Sequence, residues 1–341
     1  MSRLSVVIPA FNEQEAIGQV IERVLASHPA LRAAAGVTEM EVLVVDDGST
    51  DGTAQIVEQA AARARGRSAE VRLIRHPANL GYGAAVQRGF AEATGSLLAF
   101  LDADSTYPPE QLPRLVGALS ARQAALVVGD RMSNHASRMP AMRRAGNLFF
   151  AHLVSLLSGT PVADCCSGMR ALTANTWQRL GPLPNGLDFT PAMTVRALHQ
   201  HLPLREIAIP YHERVGRSKL KVARDGVRFL VTILCETWAH RPARVGLVAI
   251  AGALCAVLSL AVVLLVLAAL HWLPWEIGAA VGLAVVLGGL LRSGRVITLR
   301  RPARRLLSWP GVAGEQPERR GSRRDEHACS GGSGRVAARP R

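Results

Sequence analysis

The sequence predicts an α/β protein with a mostly parallel sheet flanked by helices on both faces, followed by a membrane segment. Three observations predict it. Between residues 4 and 128, short apolar runs alternate with segments of helical period. The loops that follow those runs are crowded with carboxylates and turn formers. The apolar surplus of the 341-residue chain is concentrated between residues 245 and 291, where the composition no longer suits water.

The apolar runs 4–8, 42–45, 71–74, 97–101 and 126–128 read as buried strands, and 13–27, 53–64, 83–93 and 110–120 read as helices between them. Alternation of this kind gives parallel strands whose ligand lies beyond their carboxyl ends. That singles out Pro9-Ala10-Phe11-Asn12-Glu13, the loop from Asp46 to Gly52, and Asp102-Ala103-Asp104. Residues 142–157 then read as a helix, 164–170 as a polar loop, 211–221 as a basic loop and 225–240 as an amphipathic helix approaching a membrane.

Residues 245–270 form 26 uncharged positions, more than the roughly 20 a bilayer core requires. The second apolar run, 277–291, would reach only about 22 Å, so it must borrow flanking residues or thin the bilayer. A helical hairpin is expected, because residues 292–341 carry thirteen arginines against four acidic residues and a single span would strand them outside. The expected division is 1–224 catalytic, 225–243 juxtamembrane, 244–291 transmembrane hairpin and 292–341 a basic, largely disordered tail. The formal charge of +14 is therefore mostly a property of that tail. No zinc-ligand spacing or aromatic-basic interleaving accompanies it, which argues against nucleic acid. Five cysteines, including the neighbours Cys165 and Cys166, form no CxxC pattern and fit a reducing compartment. The start at Met1-Ser2-Arg3 lacks a signal-peptide pattern, so a cytoplasmic catalytic domain is expected.

Carboxylates at i and i+2 on extended backbone point the same way, so Asp102 and Asp104 can together grip one hard cation. Mg²⁺ or Mn²⁺ held so suits a diphosphate; the bland alternative is a solvated acidic turn. Asp46 and Asp47 can accept from a base edge or ribose hydroxyls, or serve a strand-to-helix turn capped by Ser49, Thr50 or Asp51. The glycines of 79–83 suit a tight turn, and no direct role is expected of them.

Taken in order, Val7 to Glu13, Val45 to Thr53, Asp102-Ala103-Asp104, Gly129-Asp130-Arg131, Ser167-Gly168-Met169-Arg170 and Arg214 to Lys219 resemble family-2 glycosyltransferases of the GT-A fold. The branch is that of dolichol-phosphate mannosyltransferases and polyprenyl-phosphate glycosyltransferases, and the resemblance covers roughly residues 4–221. It implies that Pro9, Phe11, Glu13, Asp46 or Asp47, and Ala103 line the nucleotide-sugar pocket, with Asp102 and Asp104 on the metal. It implies that Arg131, Arg214 and Lys219 face phosphates, a role guanidinium forks and ammonium groups suit. Ser105-Thr106 stand where the family often has Leu-Gln, which leaves a third metal ligand open, with Thr106 the candidate. Asp164, Ser167 and Arg170 are expected near the acceptor, with a capping or loop-satisfying aspartate the equal alternative for Asp164.

The implied reaction is inverting transfer of a hexose from a UDP- or GDP-sugar to polyprenyl phosphate at the cytoplasmic membrane face. A lipid phosphate is already anionic and needs cations rather than a base; Asp104 and Arg131 are the catalytic candidates. Transfer to a hydroxyl would need a base, for which Asp188 is the candidate. The absence of Gln-x-x-Arg-Trp argues against a processive synthase. A membrane-tethered protein that binds nucleotide sugars without turnover is the reading of another class.

Overall fold

A computed structural model describes residues 2–272, apart from 66–68, 122–123, 135–136, 217–218 and 220. The second apolar run and the arginine-rich tail lie outside the described residues.

Seven strands form one mixed sheet in the order β3-β2-β1-β4-β6-β5-β7. Strands β1 (Ser2–Ala10), β2 (Val37–Asp46), β3 (Ala69–Arg75) and β4 (Leu97–Phe100) are mutually parallel. They are continuous apolar runs because both faces are covered: Val6 and Ile8 point into one core layer and Val7 into the other. Helices α1 (Ile17–Ala26), α2 (His28–Ala35), α3 (Thr53–Ala64) and α4 (Tyr82–Glu92) carry the crossovers, and α5 (Leu112–Ser120) follows a single 3₁₀ turn at Pro109–Gln111. The expected helix over 13–27 is shorter than its pattern. Residues 14–16 form a turn and α1 starts at Ile17, while Pro29 begins a separate α2.

Beyond β5 (Leu126–Asp130) the sheet departs from the parallel plan. Strand β6 (Arg170–Thr173) inserts antiparallel between β4 and β5, and β7 (Leu204–Ala208) pairs parallel to β5 at the edge. The polar loop expected over 164–170 therefore ends one residue into a strand. Helices α7 (Ala174–Leu180) and α8 (Phe189–His199) cover this half. Helix α6 (Ala141–Ser158) and the amphipathic α9 (Val222–His240) build a third cluster around Phe150, Val154, Val195 and Ile233.

Residues 1–262 form one compact unit. Helix α10 (Pro242–Trp272) contains a 28-residue stretch, Pro242–Ala269, of mean hydropathy 2.9, none of it buried. It is the one helix among the described residues long and apolar enough to cross a membrane.

Candidate active site

The sheet positions the site by its strand ends. Strand β1 has β2 on one side and β4 on the other, so the crossovers leave in opposite directions and a crevice opens above their carboxyl ends. A cleft of about 480 Å³ lies there, lined among others by Pro9, Phe11, Glu13, Asp47, Asp102, Ala103, Asp104, Arg131, Arg214 and Lys219. Its far wall is made by Met142, Phe150, Val222 and Phe229 of α6 and α9. The structure thus brings together most residues singled out in the sequence, while Asp46, Asp164, Ser167, Arg170 and Asp188 stand outside the lining.

Strand β4 stops at Phe100, so Asp102-Ala103-Asp104 is a turn rather than the extended backbone expected. Ser105 reverses the chain at φ 63°, a left-handed conformation sparsely used by residues with a Cβ. The turn still aims both carboxylates into the cleft. Asp102 Oδ1 accepts from the Tyr82 hydroxyl at 2.8 Å, and Asp104 Oδ1 accepts from Thr106 N at 3.1 Å and Thr106 Oγ1 at 2.5 Å. Thr106 is thereby fully buried beneath Asp104 and holds that carboxylate.

Burial, then the neighbouring charge of Asp104, pushes Asp102 up to a pKa of about 7. Two hard carboxylates forced this close are the donor set for a divalent cation, which would relieve their repulsion, so the residues fit Mg²⁺ or Mn²⁺. Among the described residues no group of three or more His, Cys, Asp or Glu could hold an ion. These two carboxylates would supply only part of a cation's shell, the rest being left to oxygens of a diphosphate or water.

Cations reach the same carboxylates from the basic loop. Arg214 donates from Nη1 to Asp104 Oδ2 at 2.6 Å and from Nη2 to Glu13, bridging them. Lys219 donates to Glu13 and to the carbonyls of Phe11 and Asn12, with its ammonium 5.5 Å from the Phe11 ring centre. Burial still holds Glu13 above its ordinary pKa, although Lys219 and Arg214 pull it down.

Seven of the expected site residues have their side chains engaged within the fold. Asp46 spends its carboxylate on local structure: Oδ1 accepts from Ser49 N at 2.9 Å and Arg75 lies 3.5 Å from Oδ2. Asp47 lines the cleft, but its carboxylate clasps the following loop, accepting from His76 Nδ1, Leu80 N and Gly81 N at 2.7, 2.9 and 2.9 Å. Arg131 does not present a free guanidinium. Asp164, fully buried, takes Nε at 2.6 Å, Nη2 at 2.8 Å and the Arg131 backbone N–H, and the guanidinium carbon lies 5.8 and 5.5 Å from the ring centres of Tyr107 and Tyr211. Asp164 therefore positions Arg131 rather than an acceptor. Ser167 and Arg170 are also fully buried: Arg170 donates to the carbonyls of Ser167 and Cys165 and to Thr194, tying β6 to the preceding loop and α8. Asp188, at the start of α8, faces α9, where Arg228 Nε approaches at 2.9 Å and Thr232 donates at 2.8 Å.

Sequence reasoning missed Tyr82, Tyr107 and Gly168. Tyr107 accepts from Gly168 N at 2.7 Å, and a Cβ on Gly168 would lie 2.6 Å from Asp102 Oδ1. Only a glycine lets that loop pass so near the carboxylate. The signal was Gly168 itself, within a motif quoted for its arginine.

Residues 5–176 match the family described as "Glycosyl transferase family 2". Over 237 residues the chain is 30% identical to the low-salt glycan biosynthesis hexosyltransferase Agl6 of Haloferax volcanii, covering 67% of this chain and 53% of that protein. It is 31% identical over 220 residues to the dolichyl-phosphate hexose transferase of the same organism, covering 64% and 86%. It is 34% identical over 171 residues to the undecaprenyl-phosphate 4-deoxy-4-formamido-L-arabinose transferase of Photorhabdus laumondii, covering 50% and 49%. The chain thus spans about half the length of the first and third of these relatives. The fold is shared with glucosyl-3-phosphoglycerate synthase of Mycobacterium tuberculosis, solved with Mn²⁺, UDP and glucosyl-3-phosphoglycerate: TM-score 0.52, 20% identity, 69% of this chain and 80% of that one. The same enzyme solved with Mg²⁺ and UDP gives a TM-score of 0.53 at 21% identity, covering 69% and 79%.

Proposed function

Because the chain belongs to glycosyltransferase family 2, we propose that it transfers a hexose, with inversion, from a UDP- or GDP-sugar to polyprenyl phosphate at the cytoplasmic face of a membrane. The observation that carries this reading is the cleft itself. One wall holds Asp102 and Asp104; another holds Arg214 and Lys219; the third is α6 and α9, and α9 is followed in the chain, after Arg241, by the apolar α10. The relatives named for dolichyl phosphate and undecaprenyl phosphate support the lipid acceptor.

Asp102 and Asp104 would hold Mg²⁺ or Mn²⁺, which supplies a Lewis acid for the charge on the departing nucleoside diphosphate. Pro9, Phe11 and Glu13 line the nucleoside end, where Asp47 keeps the 76–81 loop in place. Arg214 and Lys219 are within the cleft to neutralise phosphate oxygens. Arg131 contributes a fixed positive charge to the wall, oriented by Asp164. An acceptor phosphate is ionised before it arrives, so no side chain needs to remove a proton from it. The engagement of Asp188 with Arg228 and Thr232 supports that reading, since a carboxylate so held is poorly placed as a base. The domain division given above, including the membrane hairpin and a cytoplasmic tail, belongs to this proposal.

The test is to incubate membranes carrying the chain with a panel of labelled nucleotide sugars and Mn²⁺ or Mg²⁺, then extract the lipid. One sugar should label a phosphate-linked lipid, and excess chelator should abolish the label. Label appearing only in a water-soluble glycan, or transfer undiminished by chelator, overturns the proposal.

A further inference from the structure

The roles above leave the Tyr82 hydroxyl unassigned. Tyr82 opens α4, and the backbone around it is fixed from several sides. Gly81 N donates to Asp47 Oδ2 at 2.9 Å and Ala84 N to the Asn185 carbonyl at 3.1 Å. Gly81 sits at φ 107°, and a Cβ there would lie 2.5 Å from Asn185 O, so the chain is pressed against its neighbour where only glycine fits. The Tyr82 ring meets Phe189 edge-on, centroids 6.4 Å apart at 71°. A ring so seated delivers its hydroxyl to one place, Asp102 Oδ1 at 2.8 Å.

Asp102 is also confined by Gly168, where even a methyl group would lie 2.6 Å from Oδ1 and 2.7 Å from Oδ2. Its carboxylate is thus held between a donor hydroxyl and a glycine surface, whereas Asp104 is held by Thr106 and Arg214. Carboxylates that ligate metals are themselves hydrogen-bonded, and loss of such a partner costs about 10- to 100-fold in metal affinity.

We propose that Tyr82 is a positioning residue for the cation site: its hydroxyl occupies one lone pair of Asp102 and fixes the carboxylate's rotation, leaving the remaining lone pairs for the ion. The tyrosine touches neither sugar nor diphosphate in this role; it acts through Asp102. The inference rests on the reading that Asp102 and Asp104 hold the ion.

Tyr82→Phe tests it, because the ring and its contact with Phe189 stay while the hydroxyl goes. Mn²⁺ is titrated into the detergent-solubilised full chain, with and without UDP or GDP, and free ion is followed by its electron paramagnetic resonance signal. Tyr82→Phe should bind Mn²⁺ about 10-fold or more weakly, and the rise in thermal midpoint that Mn²⁺ causes should shrink in step. In an Asp102→Asn background, Tyr82→Phe should add less than about twofold, as expected of residues that act through one another. Mn²⁺ affinity within twofold of wild type in Tyr82→Phe, with Asp102→Asn clearly weakened, overturns the role of Tyr82 alone. Wild-type Mn²⁺ binding in both Asp102→Asn and Asp104→Asn overturns the cation site, and the role of Tyr82 with it.

Discussion

At Arg131 a buried guanidinium gives both Nε and Nη2 to Asp164. Removing one partner of a buried pair leaves an uncompensated charge and costs about 3–5 kcal/mol, whereas apolar replacement of both is often neutral. Asp164→Ala should therefore lower stability by about that amount in urea denaturation, and Arg131→Met with Asp164→Leu should recover most of it. The double variant should still transfer sugar poorly, because the cleft lining has lost the Arg131 guanidinium. Asp188 makes the opposite case. Its carboxylate is occupied by Arg228 and Thr232, so Asp188→Asn should keep turnover within about 10-fold of wild type; a loss of 10²-fold or more would mean a catalytic base after all. Asp102 and Asp104 were singled out by their spacing after a strand-like run, and Glu13 and Arg214 were given roles only by the family resemblance; the structure brings all four to one cleft. The partners of Asp47 and Arg131 were not legible, since sequence spacing says nothing about contacts 29 to 34 residues away.

At the scale of elements, helices α8 and α9 are joined along their length. Arg196 forms a fork with Glu236, and His199 stacks on His240 with ring centres 5.2 Å apart. Burial, followed by the charges of His240, Arg241 and Arg244, lowers His199 to a pKa of about 4 from an ordinary 6.5, with Glu236 opposing. A histidine depressed on folding is neutral in the folded state while the unfolded chain takes up protons, so stability is present above pH 6.5 and is lost as pH falls toward 4. The loss should be on the order of 2–3 kcal/mol, and His199→Asn should flatten the pH dependence of the thermal midpoint in that window. The first four strands and their crossover helices were legible because period and strand-end turns agreed. Strand β6 was not, because it is four residues long and begins with a buried arginine. Helix α8 gave no period because nearly every residue in it is buried, so no polar stripe marks its turns.

At the scale of the molecule, α9 is followed by a 28-residue apolar stretch, Pro242–Ala269, whose first turns touch the α6–α9 cluster through Val245 and Val248 and whose later residues are exposed among the described residues. The chain should stay with membranes through alkaline carbonate extraction, which releases proteins bound only by charge; recovery in the supernatant would mean that α10 lies against protein instead. The first span expected, 245–270, falls on α10, whose apolar length is read from hydropathy alone. The seam between α8 and α9 has one more consequence. Its three fastenings are chemically unlike: a carboxylate gripped by a guanidinium and a hydroxyl, a guanidinium fork, and two stacked imidazoles. Salt loosens the exposed charges first, and mild acid loosens the imidazoles first. Salt and mild acid therefore strain different fastenings, so the cleft should keep its stem under either better than a joint made of one kind of contact alone.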